Sequence, residues 1–115
     1  MELVAFLGAG KGTWGQVAGV VKNEEWDNII LVGDDFAKNF NVEKDFDFVE
    51  IKSGSLVELK EQILGKLRGK IKGTEVALSI ASGNGKEHMA LISALLSLPV
   101  GIRFTALTKE GMVFM

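Results

Sequence analysis

Two glycine-rich segments, each with a lysine, contain the residues whose types and spacing could do chemistry in this sequence. The first runs Gly8-Ala9-Gly10-Lys11-Gly12-Thr13-Trp14-Gly15, and the second runs Ser82-Gly83-Asn84-Gly85-Lys86. Each lies between an apolar run and a helical pattern, so free N–H groups and the positive end of a helix dipole point back at the loop. Glycine lets the backbone come close to a ligand. With Lys11 and Lys86, these groups predict a shared cleft for a phosphate-bearing molecule.

The elements that must position these loops alternate between strand and helix. Strands are predicted at 3–7, 28–32, 46–51, 76–81 and 100–107, with 112–115 returning antiparallel. Helices are predicted at 13–22, after an N-cap at Ser55 with Glu58 completing a capping box, and at 87–97. Residues 36–44 fit either a short helix or an irregular connection.

This order of elements predicts the fold class. We expect one domain over residues 1–115 of α/β class, a Rossmann-like three-layer sandwich whose mostly parallel sheet ends in a C-terminal antiparallel strand. In such sheets ligands bind at the carboxyl ends of the strands, where the strand order reverses. If strands 3–7 and 76–81 are neighbours at that reversal, the two glycine loops line one crevice.

Composition excludes several classes of function. The chain has 115 residues, a net charge of −2, no cysteine and one histidine, His88. It therefore has no overall positive field for duplex nucleic acid, no thiolate or disulfide chemistry, and too few N/S ligands for an ordinary zinc site. We expect no metal and no resident cofactor. No apolar run approaches a membrane span and no signal peptide is evident, so we expect a complete cytoplasmic protein.

A dinucleotide site is the main alternative. Gly10, Gly12 and Gly15 form G-x-G-x-x-G, and Asp34 follows the next strand where an acid would bind a ribose. Two details oppose this interpretation: the triplet begins late, because the glycines start at Gly8, and Trp14 falls at the helix mouth. The spacing does not match a Walker A loop.

A third interpretation is an interaction module whose loops bind nothing. Thr13 and Ser82 could simply cap helices. Lys86, however, stands at a predicted helix start, where a cation is mildly unfavourable unless an anion lies nearby. The sequence leaves this alternative open.

The second loop and its flanks, residues 80–90, read Ile-Ala-Ser-Gly-Asn-Gly-Lys-Glu-His-Met-Ala. This segment resembles the CRISPR-associated Rossmann-fold (CARF) domains, in which a buried strand ends in a small, glycine-rich turn with Asn or Thr, then Lys or Arg, then a helix. The order of elements is similar over nearly the whole chain. The resemblance implies a homodimer that binds a cyclic oligoadenylate, the second messenger of type III CRISPR immunity, across its two-fold axis.

The resemblance also implies the site residues. The ligand would be held by Gly8, Ala9, Gly10, Lys11, Gly12 and Thr13 of the first loop and by Ser82, Gly83, Asn84, Gly85 and Lys86 of the second. Some family members cleave the ring and are called ring nucleases; here Lys86 would hold the phosphate, and Thr13 or Ser82 would orient it, without a metal. The extra glycines and Lys11 depart from the family's first motif, so the ring size and any cleavage stay open.

Overall fold

The chain alternates between strand and helix, as the sequence predicts, in a computed structural model that describes all 115 residues. The strands are β1 (Glu2–Leu7), β2 (Asn28–Gly33), β3 (Asp47–Glu50), β4 (Glu75–Ser79), β5 (Gly101–Thr108) and β6 (Gly111–Phe114). The α-helices are α1 (Trp14–Lys22), α2 (Leu56–Leu67) and α3 (Gly85–Leu96). Two 3-10 turns, Lys11–Thr13 and Asp35–Asn39, complete the ordered segments.

One six-stranded sheet has the order β3-β2-β1-β4-β5-β6. All neighbours are parallel except β5 and β6, which form an antiparallel hairpin. The chain steps outward from β1 to β3 and then returns to add β4 on the other side of β1. The strand order therefore reverses between β1 and β4, and the sequence-based expectation that these two strands are neighbours is confirmed.

Helices cover both faces of the sheet, so the three-layer sandwich is confirmed. Alternate residues of β1 enter two separate cores: Leu3 and Ala5 pack with α1, whereas Val4 and Phe6 pack with α2 and α3. Every residue of β1 is buried. This central position explains its uninterrupted apolar run, because a strand buried on both faces has no wet side to alternate with.

Some element details differ from the sequence pattern. Residues 36–44 form only the short 3-10 turn, which Asp34 caps by accepting the N–H of Ala37 at 3.1 Å. The helix expected at 87–97 begins two residues earlier, at Gly85. The spacing of Leu91, Ile92, Leu95 and Leu96 predicts the apolar face of that helix, but Leu96 is 70% exposed. The small side chains of Ala90 and Ala94 instead bring α3 close to the core, and Leu96 faces outward.

None of the three helices has the length and hydrophobicity that crossing a lipid bilayer requires.

Candidate functional site

The two glycine loops touch backbone to backbone at the carboxyl ends of β1 and β4. A Cβ atom placed on Gly8 would lie 2.7 Å from the backbone nitrogen of Gly83. Gly83 has a φ of +104°, and a Cβ there would lie 2.8 Å from the ring of Phe6. Only glycine fits at both positions, because a side chain on Gly8 would push the loops apart and one on Gly83 would clash with Phe6 at a φ that other residues rarely adopt.

Hydrogen bonds to the side chain of Ser82 join the same loops. Its hydroxyl oxygen accepts the backbone N–H of Gly8 at 2.8 Å and the hydroxyl of Thr13 at 2.7 Å. Ser82 is fully buried, whereas Thr13 is exposed. Of the two hydroxyls that the sequence singles out, only that of Thr13 is accessible to a ligand, and Ser82 holds it from behind.

Two further side chains fix the loops from below. The indole N–H of Trp14 donates to the carbonyl of Gly8 at 3.0 Å. Nε2 of His88 lies 2.7 Å from the carbonyl of Ser82 and therefore carries the proton of this hydrogen bond. His88 is thus a structural residue of the second loop, and both loops have a defined conformation that their own side chains maintain.

A cleft of about 370 Å³ opens between the loops. Its lining consists of Gly8, Ala9, Gly10, Gly12 and Thr13 from the first loop and Gly83, Asn84 and Glu87 from the second. This size falls at the lower end of the range for small-molecule sites, about 300–1,000 Å³. The cleft lies where the strand order reverses, which is the usual ligand position in open α/β sheets.

Lys86 lies outside this cleft and lines an adjoining one of about 220 Å³. Asp34, from the end of β2, lines that second cleft too, and Asn84 and Glu87 are shared by both. Lys86 forms no ion pair in the structure. The positive charge predicted for the site therefore stands at its rim, free to meet an anion.

The two helix N-termini differ in the donors that they leave free. At α3, Asn84 and Glu87 form a complete capping box, each accepting the backbone N–H of the other, at 2.8 and 2.9 Å. At the start of α1 and its preceding 3-10 turn, no side chain caps the backbone. The first loop is therefore the better anion-binding site, because its backbone N–H groups have no carboxylate partner within the protein.

Glu87 is a site residue that the sequence reasoning missed. Its carboxylate borders the cleft and adds negative charge beside the expected phosphate position. The signal was present: Asn84 and Glu87 have the same three-residue spacing as Ser55 and Glu58, which form the predicted capping box of α2.

The pKa of Glu58 lies below its ordinary value because Ser55 hydrogen-bonds it, with a smaller contribution from the charge of Lys86.

Lys11 and two aromatic side chains form a second feature beside the first loop. Nζ of Lys11 lies 5.9 Å from the ring of Trp14 and 5.8 Å from the ring of Phe36. Trp14 is buried and packs below the loop, so it does not obstruct the helix mouth. Phe36, which the sequence reasoning did not single out, is 42% exposed.

Gly15 and Asp34, which the dinucleotide alternative needs, are not placed as a dinucleotide site requires. Gly15 is exposed, and a Cβ there would meet nothing within 4 Å, so it is not needed for close helix–strand packing. One carboxylate oxygen of Asp34 is occupied by the cap of the 3-10 turn. The formal glycine triplet is therefore out of register with the strand-to-helix turn that it would have to serve.

No three histidine or acidic side chains are grouped so that they could hold a metal ion. No protein-family model matches this chain, and no curated protein matches it.

Proposed function

We propose that this chain is a CARF-like domain that binds a cyclic oligoadenylate, or a related nucleotide, in the cleft between its two glycine loops. The observation that carries the proposal is the cleft that the two glycine loops line at the reversal of strand order, with the backbone of the first loop facing it. Gly10 and Gly12 line this cleft, have negative φ, and a Cβ on either would meet no atom within 4 Å. Gly15 and Gly65 also have open surroundings, but at Gly10 and Gly12 the open space is the cleft itself, so a ligand there can approach the backbone closely.

The chemistry of the cleft suits a phosphate. Uncapped N–H groups at the start of α1 supply donors, and Lys86 stands beside the cleft without an ion pair. The hydroxyl proton of Thr13 is donated to Ser82, and Lys11 extends from the first loop over the rings of Trp14 and Phe36. Donors of this kind bind phosphate oxygens strongly when the partner is charged. The carboxylate of Glu87 opposes an anion on one side, which favours a ligand that places its phosphates toward the first loop.

A homodimer completes the proposal, and the outer face of α3 supports it. Residues 89–102 carry no charged side chain, although 24% of the chain is charged. Met89 and Leu96 are 56% and 70% exposed on this helix, and Met115 of the neighbouring hairpin is 72% exposed. Only three helices cover six strands, so Ile102 and Phe104 of β5 stay partly uncovered on the same side.

A second copy of the chain is the partner that fits this face. A two-fold axis places the same patch of both subunits in contact, and an uncharged patch can contact its own copy without charge repulsion. Homodimer interfaces are also more apolar than other surfaces. Because α3 begins at the second glycine loop, pairing through its outer face would bring two clefts toward one axis. A cyclic ligand with two-fold symmetry suits such a pair. The proposal keeps the cytoplasmic location that the composition predicts.

Ring cleavage, if it occurs, would need no metal. The ribose 2′-hydroxyl would lose its proton to water and attack the adjacent phosphorus, and the 5′-oxygen would leave and take up a proton from water, giving a 2′,3′-cyclic phosphate end and a 5′-hydroxyl end. The protein would supply alignment and charge stabilisation only, with Thr13 and Lys86 near the phosphate and Ser82 positioning Thr13. Turnover would therefore be slow and insensitive to EDTA, and rapid magnesium-dependent hydrolysis would contradict this mechanism.

A small NAD(P)-binding protein is the second candidate, favoured by one observation. The order β3-β2-β1-β4-β5 is that of dinucleotide-binding sheets, with Asp34 directly after β2 in the cleft that Lys86 also lines.

Calorimetric titration with cyclic oligoadenylates of several ring sizes, NAD, NADP and ATP tests the proposal. Lys86→Ala should weaken cyclic oligoadenylate binding by about 1.5–3 kcal/mol, the magnitude for a charged hydrogen bond. Asp34→Ala should change it little, because this site needs no carboxylate on a ribose. A dominant effect of Asp34, or binding of NAD alone, would favour the second candidate, and no binding of any nucleotide would reject both.

A further inference from the structure

The ring of Phe36 lies beside the first glycine loop and is only partly covered by the fold. Phe36 comes three residues after β2 and is 42% exposed. Its ring lies 5.5 Å from that of Trp14 at an interplanar angle of 43°. A single exposed apolar side chain is ordinary on a protein surface, so the exposure of Phe36 gains meaning only from its neighbours Trp14 and Lys11.

Trp14 connects this ring rigidly to the cleft. Its indole N–H is bonded to the carbonyl of Gly8, and the ring of Phe40 packs against it edge-on at 5.9 Å. Trp14 is 8% exposed, so it has little freedom to move. Phe36 is therefore held against Trp14, which is itself hydrogen-bonded to Gly8 of the cleft lining.

Lys11 lies between the cleft and the aromatic pair. Its backbone belongs to the first glycine loop, and its Nζ lies within 6 Å of both rings. A cation over an aromatic face is attracted by the ring, and it can still reach a phosphate with its remaining donors. The side chain thus bridges a position for phosphate and a position for a flat ring.

The fold does not require an aromatic residue at this position. The 3-10 turn is anchored by Ala37 and Phe40, which are 1% and 7% exposed, and by the cap from Asp34. Phe36 adds contact with Trp14 but leaves much of its own ring in solvent. A partly exposed aromatic ring close to a phosphate position is the arrangement on which nucleic acid bases stack.

We infer that Phe36 is the base-stacking platform of this site, taking the purine of a nucleotide whose phosphate lies between the glycine loops. The inference rests on the proposed function, because it needs a phosphate in the cleft. It adds the class of group that is recognised beside it. The side chain of Lys11 would lie between the stacked base and the phosphate and contact both.

Two small probes separate base recognition from phosphate recognition: adenosine 5′-monophosphate and ribose 5-phosphate, which lacks the base. Both are titrated into ¹⁵N-labelled protein, and affinities come from the shifts of the glycine amides. We expect the monophosphate to bind about five- to a hundredfold more tightly than ribose 5-phosphate, the range for one stacked base. Phe36→Ala should abolish most of this difference and leave ribose 5-phosphate binding unchanged.

Phe114→Ala is the matched control. Phe114 is 37% exposed and also packs against a tryptophan, Trp26, at 6.1 Å, but it lies on β6, away from the cleft. This variant should keep the full difference between the two probes. Equal affinities in the unmodified protein, or an unchanged difference in Phe36→Ala, would overturn the platform while leaving the phosphate site standing. Failure of both probes to bind would instead reject the proposed function, and the platform with it.

Discussion

At the scale of single residues, the glycines of the two loops serve two different purposes. Gly8 and Gly83 are required by the fold, because the loops meet there with no room for a side chain. Gly10 and Gly12 face open space in the cleft and have no such constraint. The number of glycines in the sequence does not distinguish these two pairs, although only Gly10 and Gly12 point to a ligand.

Gly8→Ala and Gly12→Ala should therefore behave differently. The methyl group at Gly8 would press on the backbone of Gly83 and should destabilise the protein by about 1–3 kcal/mol, as overpacking does. At Gly12 the change should leave stability equal or slightly higher, since the unfolded chain loses freedom. It should nevertheless weaken nucleotide binding, because the methyl group enters the cleft.

Urea unfolding and calorimetric titration measure both effects. If Gly12→Ala bound nucleotide as well as the unmodified protein, close approach at this loop would be excluded.

At the scale of elements, the capping boxes of α2 and α3 provide a matched pair. The side chain of Ser55 accepts the backbone N–H of Glu58 at 3.2 Å, and the side chain of Asn84 accepts that of Glu87 at 2.8 Å. Ser55 lies outside the cleft, whereas Asn84 lines it. The same local interaction thus occurs once as pure structure and once at the candidate site.

Ser55→Ala and Asn84→Ala should each lower the free energy of unfolding by about 1 kcal/mol, the usual cost of losing an N-cap. Only Asn84→Ala should also reduce nucleotide affinity. Thermal unfolding gives the first comparison and titration the second. Equal binding by the two variants would show that Asn84 acts as a cap alone.

Another element-scale feature lies at the opposite end of the sheet from the cleft. The buried carboxylate of Glu2, at the start of β1, accepts hydrogen bonds from the backbone N–H groups of Lys72 and Gly73 and from the amide of Asn28. Burial by itself would raise the pKa of Glu2, but these hydrogen bonds together outweigh it and bring the pKa below its ordinary value. They tie β1 to the segment that leads into β4.

The sign of the pH effect follows from this lowered pKa. The stabilisation from Glu2 should be complete above the unfolded-state pKa of about 4.3 and should be lost as the pH falls through the lower folded-state pKa. Glu2→Gln should be less stable at pH 7 by about 1–3 kcal/mol, because the amide cannot accept all the donors.

Urea unfolding between pH 7 and pH 3 tests this prediction. Glu2→Gln should lose less stability over that range than the unmodified protein. Parallel pH profiles for the two proteins would contradict the role assigned to the carboxylate.

At the scale of the whole molecule, assembly is the property on which the proposed ligand site depends. Light scattering at tens of micromolar should give the mass of a dimer. Leu96→Glu should give a monomer with unchanged circular dichroism, because a buried charge without a partner is costly at an apolar interface. Cyclic oligoadenylate binding should weaken with it.

Val57→Glu is the control, since Val57 is 68% exposed on α2, away from the proposed interface. It should stay dimeric. A monomer in the unmodified protein, with and without ligand, would count heavily against a two-fold site.

The sequence by itself determined the elements of this protein. The apolar runs, the helical spacing and the Ser55–Glu58 cap are local patterns, and each is confirmed within a few residues. The alternation of these elements was enough to indicate a mostly parallel sheet with a final antiparallel strand, because a short helical crossover joins parallel neighbours with one handedness.

Only the tertiary structure decided which of these elements meet. Gly8 and Ser82 are 74 residues apart, and their hydrogen bond exists because β4 pairs with β1 rather than with another strand. The outward position of Leu96 and the exposed ring of Phe36 depend in the same way on neighbours far along the chain. Sequence patterns report burial and period locally, whereas a site at a strand-order reversal is made by contacts that no local pattern encodes.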